Sequence, residues 1–326
     1  MKFVLDAEQR LFADTLHTLL AGADTARAVR AWAAGDTKPG RTLWSALADA
    51  GVFALAVPEA HDGAGPLPVE LVCAAEQLGR HAVPGPFVET LAAAELLGSL
   101  GDDPLAATWL PRIAAGEALV SVALPPAVPY ALDGDVADLV LTADAEAVRS
   151  AMTDRGAPSL DPSRRLLPVV PGEPLVTGAA AREASAAAYD LGALLCAAQQ
   201  LGLGRALLDV SVEYAKTRQQ FGHPIGEYQA VKHHLAGVLV ELEYARPLLF
   251  GAALAYRTPE FARDVSAAKA AASAASYLAA RVALQVHGAI GYTDEYDPSL
   301  WIRKVRALYS AWGSPASHRA RVVDAL

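Results

Sequence analysis

Two glycine-bearing segments in the second half of the chain carry the residue types that can hold a phosphate. Tyr214 to Gln229 reads Tyr-Ala-Lys-Thr-Arg-Gln-Gln-Phe-Gly-His-Pro-Ile-Gly-Glu-Tyr-Gln. Gly222 and Gly226 let the chain turn there, Pro224 stiffens it, and Arg218 is left near a helix C-terminus with a free guanidinium. A helical hairpin's length later, Gln285 to Gly291 reads Gln-Val-His-Gly-Ala-Ile-Gly. Its closely spaced Gly288 and Gly291 expose backbone N–H groups that a pyrophosphate can approach. A guanidinium–phosphate contact is charge-assisted and contributes about 1.5–3 kcal/mol net. Each segment alone also has a plainer account: Arg218 caps its helix while Phe221 fills the core, and glycine-rich helix ends are common.

Candidates for proton transfer are sparse. Glu241 and Glu243 in a long helix, and Asp294 with Glu295 after the second glycine segment, are of a kind more often solvated or structural than catalytic. His287 and the pair His233-His234 lack partners at metal-ligand spacing, so packing or contact with a bound ring is the expected role. Cys73 and Cys196 are too few for a disulfide framework or a zinc site and read as small buried hydrophobes in a reducing compartment. Redox chemistry therefore needs a borrowed cofactor. A net charge of −9 over 326 residues disfavours nucleic acid as a partner. No apolar run approaches the roughly 18 residues of a membrane span, and the N-terminus does not read as a signal peptide, so the expected location is cytoplasmic.

The elements that must position these residues are mainly α. Apolar residues recur at three- and four-residue intervals, and 53% of the chain is hydrophobic, enough for one large core or two to three joined subdomains. Phe3, Leu5, Leu11, Phe12, Leu16, Leu19 and Leu20 form one stripe; a second helix, Leu43 to Ala50, stops at Gly51; a third runs from Val69 to Leu78. Residues 1–117 thus read as a helical N-terminal domain. Residues 118–178 read as a reduced β domain, with short runs at Leu119 to Leu124 and Val136 to Thr142 and with Leu160 to Arg165 leading out of the sheet. Residues 179–326 return to helix, with windows at Ala187–Thr217, Gly226–Tyr256, Pro259–His287 and Tyr296–Ser310 joined by short loops, as in a four-helix bundle. Asp190 reads as the N-cap of the first of these, and Ala267 to Ala280 as a tight helix interface.

Taken in order, these signals resemble the acyl-CoA dehydrogenase family over nearly the whole chain, most closely from Asp190 to Gly313. Arg218 to Gly222 is similar to its R-x-x-F-G, Gln285 to Tyr292 to its Q-x-x-G-G-x-G-[FY], and Val57 to Gly65 to its V-P-E-x-x-G-G-x-G loop. The resemblance implies a helical N-terminal domain, a central β domain, a C-terminal four-helix domain, FAD as cofactor and an acyl-CoA substrate. It also implies that Arg218, Phe221, Gln229, Gln285, Gly288 and Ala289 reach the adenosine and pyrophosphate end of an FAD whose ring lies in a neighbouring subunit. Ala289 replaces a usual Gly.

The same resemblance exposes a loss. Where the family carries Tyr-Glu-Gly-Thr, with Glu as the catalytic base, this chain reads Ala311-Trp312-Gly313-Ser314, so the base position holds Trp312. Some members place the base at the start of the helix leading to the Arg motif, and that position is Gly192, with Ala193 in place of a neighbouring Arg. A positioned base is worth about a hundred- to ten-thousand-fold in rate, and neither residue can supply it. Ser121 to Val128 lacks the hydroxyl and acid of the family's flavin-ring loop, and no W-I-T strand follows. Some members, notably in steroid side-chain breakdown, are α2β2 tetramers of unlike subunits, one with base and ring pocket and one with the adenosine end. The chain resembles the second kind, which implies a paralogous partner carrying the catalytic Glu. Two other functions compete: a self-sufficient flavoenzyme with oxygenase chemistry or a base relocated to Glu241 or Glu243, and a scaffold that has abandoned flavin.

Overall fold

The computed structural model describes residues 4–101 and 103–326. Six helices come first: α1 (Ala7–Ala21), α2 (Thr25–Ala33), α3 (Lys38–Asp49), α4 (Pro68–Arg80), α5 (Phe87–Gly98) and α6 (Pro104–Ala114). Asp6 starts α1 through a capping box, its carboxylate accepting from the Gln9 N–H at 2.9 Å while the Gln9 side chain accepts from the Asp6 N–H at 3.1 Å. Of the α1 stripe, Leu16 and Leu20 are fully buried, whereas Leu11 is 68% exposed and Phe3 lies outside the described residues. Helix α5 has no amphipathic period because nearly all of its residues are buried.

Five strands follow: β1 (Val120–Ala123), β2 (Tyr130–Leu132), β3 (Leu139–Ala143), β4 (Ala147–Thr153) and β5 (Leu166–Thr177), in the order β1-β3-β4-β5-β2. The β1–β3 pair is parallel and the others are antiparallel. Leu160 to Arg165 does not lead out of the sheet; it leads into β5, the longest strand. Pro168, Pro171 and Pro174 disguise β5, because proline cannot donate to a ladder. The sheet accommodates them with register shifts against β4 on either side of Arg149.

The rest is helical: α7 (Ala179–Thr217), α8 (Gln229–Leu254), α9 (Phe261–His287), α10 (Pro298–Leu308) and α11 (Pro315–Asp324), with a two-stranded hairpin, β6 (Gln219–Gln220) and β7 (His223–Pro224), between α7 and α8. Helix α11 follows the four expected helices. Asp190 is not an N-cap: α7 begins eleven residues before it, and its carboxylate, well inside the helix, pairs with Arg321 at 2.8 Å. Helix α7 is also apolar enough over one 18-residue window to cross a membrane, contrary to the reading of the sequence, but 89% of that window is buried inside the fold. It is the core helix.

Two contacts show how closely its neighbours approach. Alanines 268, 272, 275 and 279 on α9 are buried in the same core as α7. Where α4 crosses α7, a Cβ on Gly79 would overlap the Gln199 carbonyl, and one on Gly202 would overlap the Glu76 carbonyl. Backbone meets backbone there, so Gly79→Ala and Gly202→Ala are each expected to destabilise the protein by about 1–3 kcal/mol in urea unfolding followed by circular dichroism. Gly237→Ala in α8, where an added Cβ meets nothing within 4 Å, is expected to be neutral or to stabilise by up to about 1 kcal/mol. Equal effects at all three positions would contradict this packing.

Candidate functional site

The hairpin that ends α7 turns at Phe221 and Gly222, both left-handed with φ of 54° and 84°. A two-residue β-hairpin connection of this kind wants positive φ at both central positions, and an aromatic is an unusual choice for the first. Phe221 does not fill the core: its side chain is 90% exposed at the hairpin tip. Arg218 follows the last residue of α7, its N–H donating to the Tyr214 carbonyl at 2.8 Å and its own carbonyl accepting from Ile225 N–H at 2.8 Å. Among the described residues its guanidinium, exposed to solvent, makes no hydrogen bond or ion pair.

Beside the hairpin, the C-terminus of α9 ends at Gly288, whose φ of 65° carries the chain into a 3-10 turn over Gly288–Tyr292. His287 anchors this turn from below: it is 5% exposed, its Nδ1 donates to the Ala283 carbonyl at 2.7 Å, and its ring packs between Tyr214 and Tyr296 at 4.4 and 5.3 Å. Burial pushes its pKa down, favouring the neutral ring. The two loops and the facing sides of α8 and α9 enclose an open groove of about 980 Å³. Phe221, Gln285, Gly288 and Ala289 line it together, with Tyr228, Arg281 and His234. Arg218 and Gln229, the first residue of α8, are exposed outside that lining. Glu241 and Glu243 lie on the outer face of α8, Glu243 paired with Arg205 at 2.9 Å, so neither is placed as a buried base.

The two candidate base positions meet in space. Trp312 is 2% exposed, and a Cβ added to Gly192 would collide with its six-membered ring. The indole therefore occupies the room that a side chain on either position would need. Its backbone is left-handed, φ 56°, and is held by His318, whose Nε2 donates to the Trp312 carbonyl at 2.8 Å, with the Tyr189 hydroxyl at 3.4 Å. Lys269, fully buried, donates to the carbonyl of Leu308, the last residue of α10, at 3.3 Å and fixes the approach to this turn.

The indole N–H donates to Glu89 Oε1 at 3.3 Å, a carboxylate on α5 that the sequence reading missed. Glu89 is 3% exposed and lies 3.9 Å from Arg164, on the loop into β5. Burial pushes its carboxyl above the usual carboxylate range, with Arg164 offsetting part of the shift. On the same loop Asp161 pairs with Lys304 of α10 at 3.0 Å, both nearly buried. The cue for Glu89 was an acid within the apolar run from Phe87 to Leu97. Trp312, Glu89 and Arg164 border a cavity of about 240 Å³, whose other wall includes Ala127 and Val128.

The fold is that of an acyl-CoA dehydrogenase chain. The family's N-terminal domain matches residues 6–117 and its C-terminal domain residues 183–326, and the chain belongs to the family, whose members are FAD-dependent. It is 34% identical over 314 residues to acyl-CoA dehydrogenase IpdE2 of Mycobacterium tuberculosis, covering 94% of each chain. Among solved structures it resembles the ChsE4–ChsE5 complex from Mycobacterium tuberculosis, with a TM-score of 0.86, 22% identity, and coverage of 99% of this chain and 98% of that one. The Tcur3481–Tcur3483 steroid ACAD gives a TM-score of 0.82 at 22% identity, over 98% of this chain and 97% of that one.

Gly192→Ala is expected to destabilise the protein by about 1–3 kcal/mol, and by less than half of that in a Trp312→Leu background, because the smaller side chain removes the collision. Additive effects in urea unfolding would show that the two positions do not touch. The turn also has a pH signature. Burial drives the His318 pKa from 6.5 down to about 4. Between those values the unfolded chain holds a proton that folded His318 lacks, so stability from this group is complete above pH 6.5 and falls, by about 3 kcal/mol, as pH drops to 4. His318→Gln is expected to flatten the stability–pH curve by up to one proton over that window relative to the parent; parallel curves would remove the neutral His318 clamp.

Proposed function

We propose that this chain is the base-lacking subunit of a heteromeric acyl-CoA dehydrogenase, supporting the adenosine and pyrophosphate end of FAD for a paralogous partner that supplies the catalytic Glu. The observation that carries this reading is the contrast between the two ends of the molecule: Trp312 fills both base positions at one, while Phe221, Gln285, Gly288 and Ala289 border an open groove at the other. The groove fits the elongated, anionic end of FAD, with the Gly288–Tyr292 turn offering backbone N–H groups and Arg218 and Gln229 closing in from the hairpin side when the partner is docked. The ring end does not fit here. Between Val128 and Trp312 there is about 240 Å³, bounded by a buried acid, room for a single ring but not for the three fused rings of a flavin.

FAD, when bound, accepts the hydride of α,β-desaturation. This chain's part is to orient the cofactor's far end, exclude water from it and bring the exposed Phe221 against the partner. A steroid-derived acyl-CoA is the favoured substrate class, supported by the likeness to the Tcur3481–Tcur3483 steroid ACAD, while the likeness to the ChsE4–ChsE5 complex supports the paired organisation. Co-expression with a paralogue that retains the Glu is expected to give a complex with one FAD per unlike pair. Arg218→Ala in that complex is expected to weaken FAD retention about ten- to a hundredfold, measured by flavin fluorescence during dilution. Stoichiometric FAD and acyl-CoA oxidation by this chain alone would overturn the reading.

A further inference from the structure

The cavity beside Trp312 has a feature that its loss of a base does not explain. Arg164 is 11% exposed by side chain, yet among the described residues its guanidinium has no hydrogen-bond acceptor; its nearest acid, Glu89 Oε1, stands at 3.9 Å, beyond hydrogen-bond reach. Glu89 spends that oxygen on the indole of Trp312. A guanidinium carries five N–H donors in a planar fork, and no nitrogen of Arg164 is among the fully buried unpartnered atoms, so the fork keeps access to the space it faces. Its outlet is the cavity of about 240 Å³ that Arg164 and Glu89 both line.

The wall chemistry narrows the occupant. Val128, Leu132, Leu166 and the Trp312 indole give an apolar surface, and Ser159 and Ser310 add hydroxyls. A fork of donors set in an apolar wall matches a carboxylate on a hydrocarbon body, whereas a bare inorganic anion would leave the apolar surface facing water. Size agrees: a cavity of about 150 Å³ takes benzene, so the present volume accommodates a benzene-sized body with a carboxylate attached. We propose that this cavity is a binding site for a compact organic carboxylate, held by Arg164 and packed on Trp312. Burial raises the Glu89 pKa, with Arg164 offsetting part of the shift, so this acid opposes a ligand carboxylate less than an exposed carboxylate would. The proposal does not depend on the cofactor reading, because the groove lies on α8 and α9 and shares no lining residue with this cavity.

The test is a titration of the 326-residue chain, which has five tryptophans, labelled with 5-fluorotryptophan, with the Trp312 fluorine resonance assigned by its loss in Trp312→Phe. Sodium benzoate is expected to shift the Trp312 resonance saturably, and the neutral isostere benzamide to bind at least tenfold more weakly. Arg164→Gln should weaken benzoate about ten- to a hundredfold, and Glu89→Gln should tighten it or leave it unchanged. Inorganic phosphate competing as well as benzoate, equal binding of benzamide, or shifts confined to other tryptophans would each overturn the proposal. The benzoate–benzamide contrast decides the matter on the unmodified chain should Arg164→Gln not fold.

Discussion

The burial of α7 on nearly every side is the constraint to which the remaining architecture answers. A 39-residue helix whose middle is inside the protein has to be met by something on each face, and what meets it comes from all three parts of the chain: α4 and α5 from the first, the ends of β4 and β5 from the second, α8, α9 and α10 from the third. Where another helix crosses it closely, side chains must vanish, hence Gly79 against Gln199 and Gly202 against Glu76. Where a large group presses on it, the same rule applies, hence Gly192 beneath Trp312. The groove at its far end is also a product of α7, since the hairpin carrying Arg218 and Phe221 begins where the helix stops.

A second layer of organisation is ionic. Glu89 with Arg164, Asp161 with Lys304, and Asp190 with Arg321 each join segments distant in sequence, and all have at least one partner buried. Pairs of this kind add little net stability, because taking both charges from water offsets much of their attraction, but breaking one leaves an uncompensated charge inside. Their effect is on specificity of docking. The loop into β5 can sit against α5 and α10 in one way, with Arg164 near Glu89 and Asp161 on Lys304, and Lys269 holds the end of α10 in register with it.

Much of this was readable in advance, and the exceptions have physical causes. Helices with one solvated face announced themselves by period and the contact surface of α9 by its alanine content, while the missing acid at Trp312 was visible only through the family resemblance. Helix α5 gave no period because it has no solvated face, and Glu89 went unnoticed with it. Strand β5 was masked by its own prolines, and Asp190 looked like a cap because acids at helix starts are common, whereas this one answers an arginine of α11. Phe221 is the instructive case. Residue type says that an aromatic will be covered; it does not say whether the cover comes from the same chain, and here the side chain stands at 90% exposure. The gathering of Gln285, Gly288 and Ala289 beside it was implied by the family resemblance, while the positions of Arg218 and Gln229 outside the groove lining depended on the hairpin geometry.

The interlock of Gly192 and Trp312 ties the choice of residue at each position to the other. Either position can in principle carry a catalytic acid, but a glutamate at 192 has no room while the indole is present, and a glutamate at 312 leaves a void over the glycine and an acid facing Glu89. A single acidic substitution at either position therefore strains the packing of this corner. Small-to-large complementarity of this sort makes the two positions one unit: a longer side chain at 192 is admitted only when the group at 312 shrinks with it.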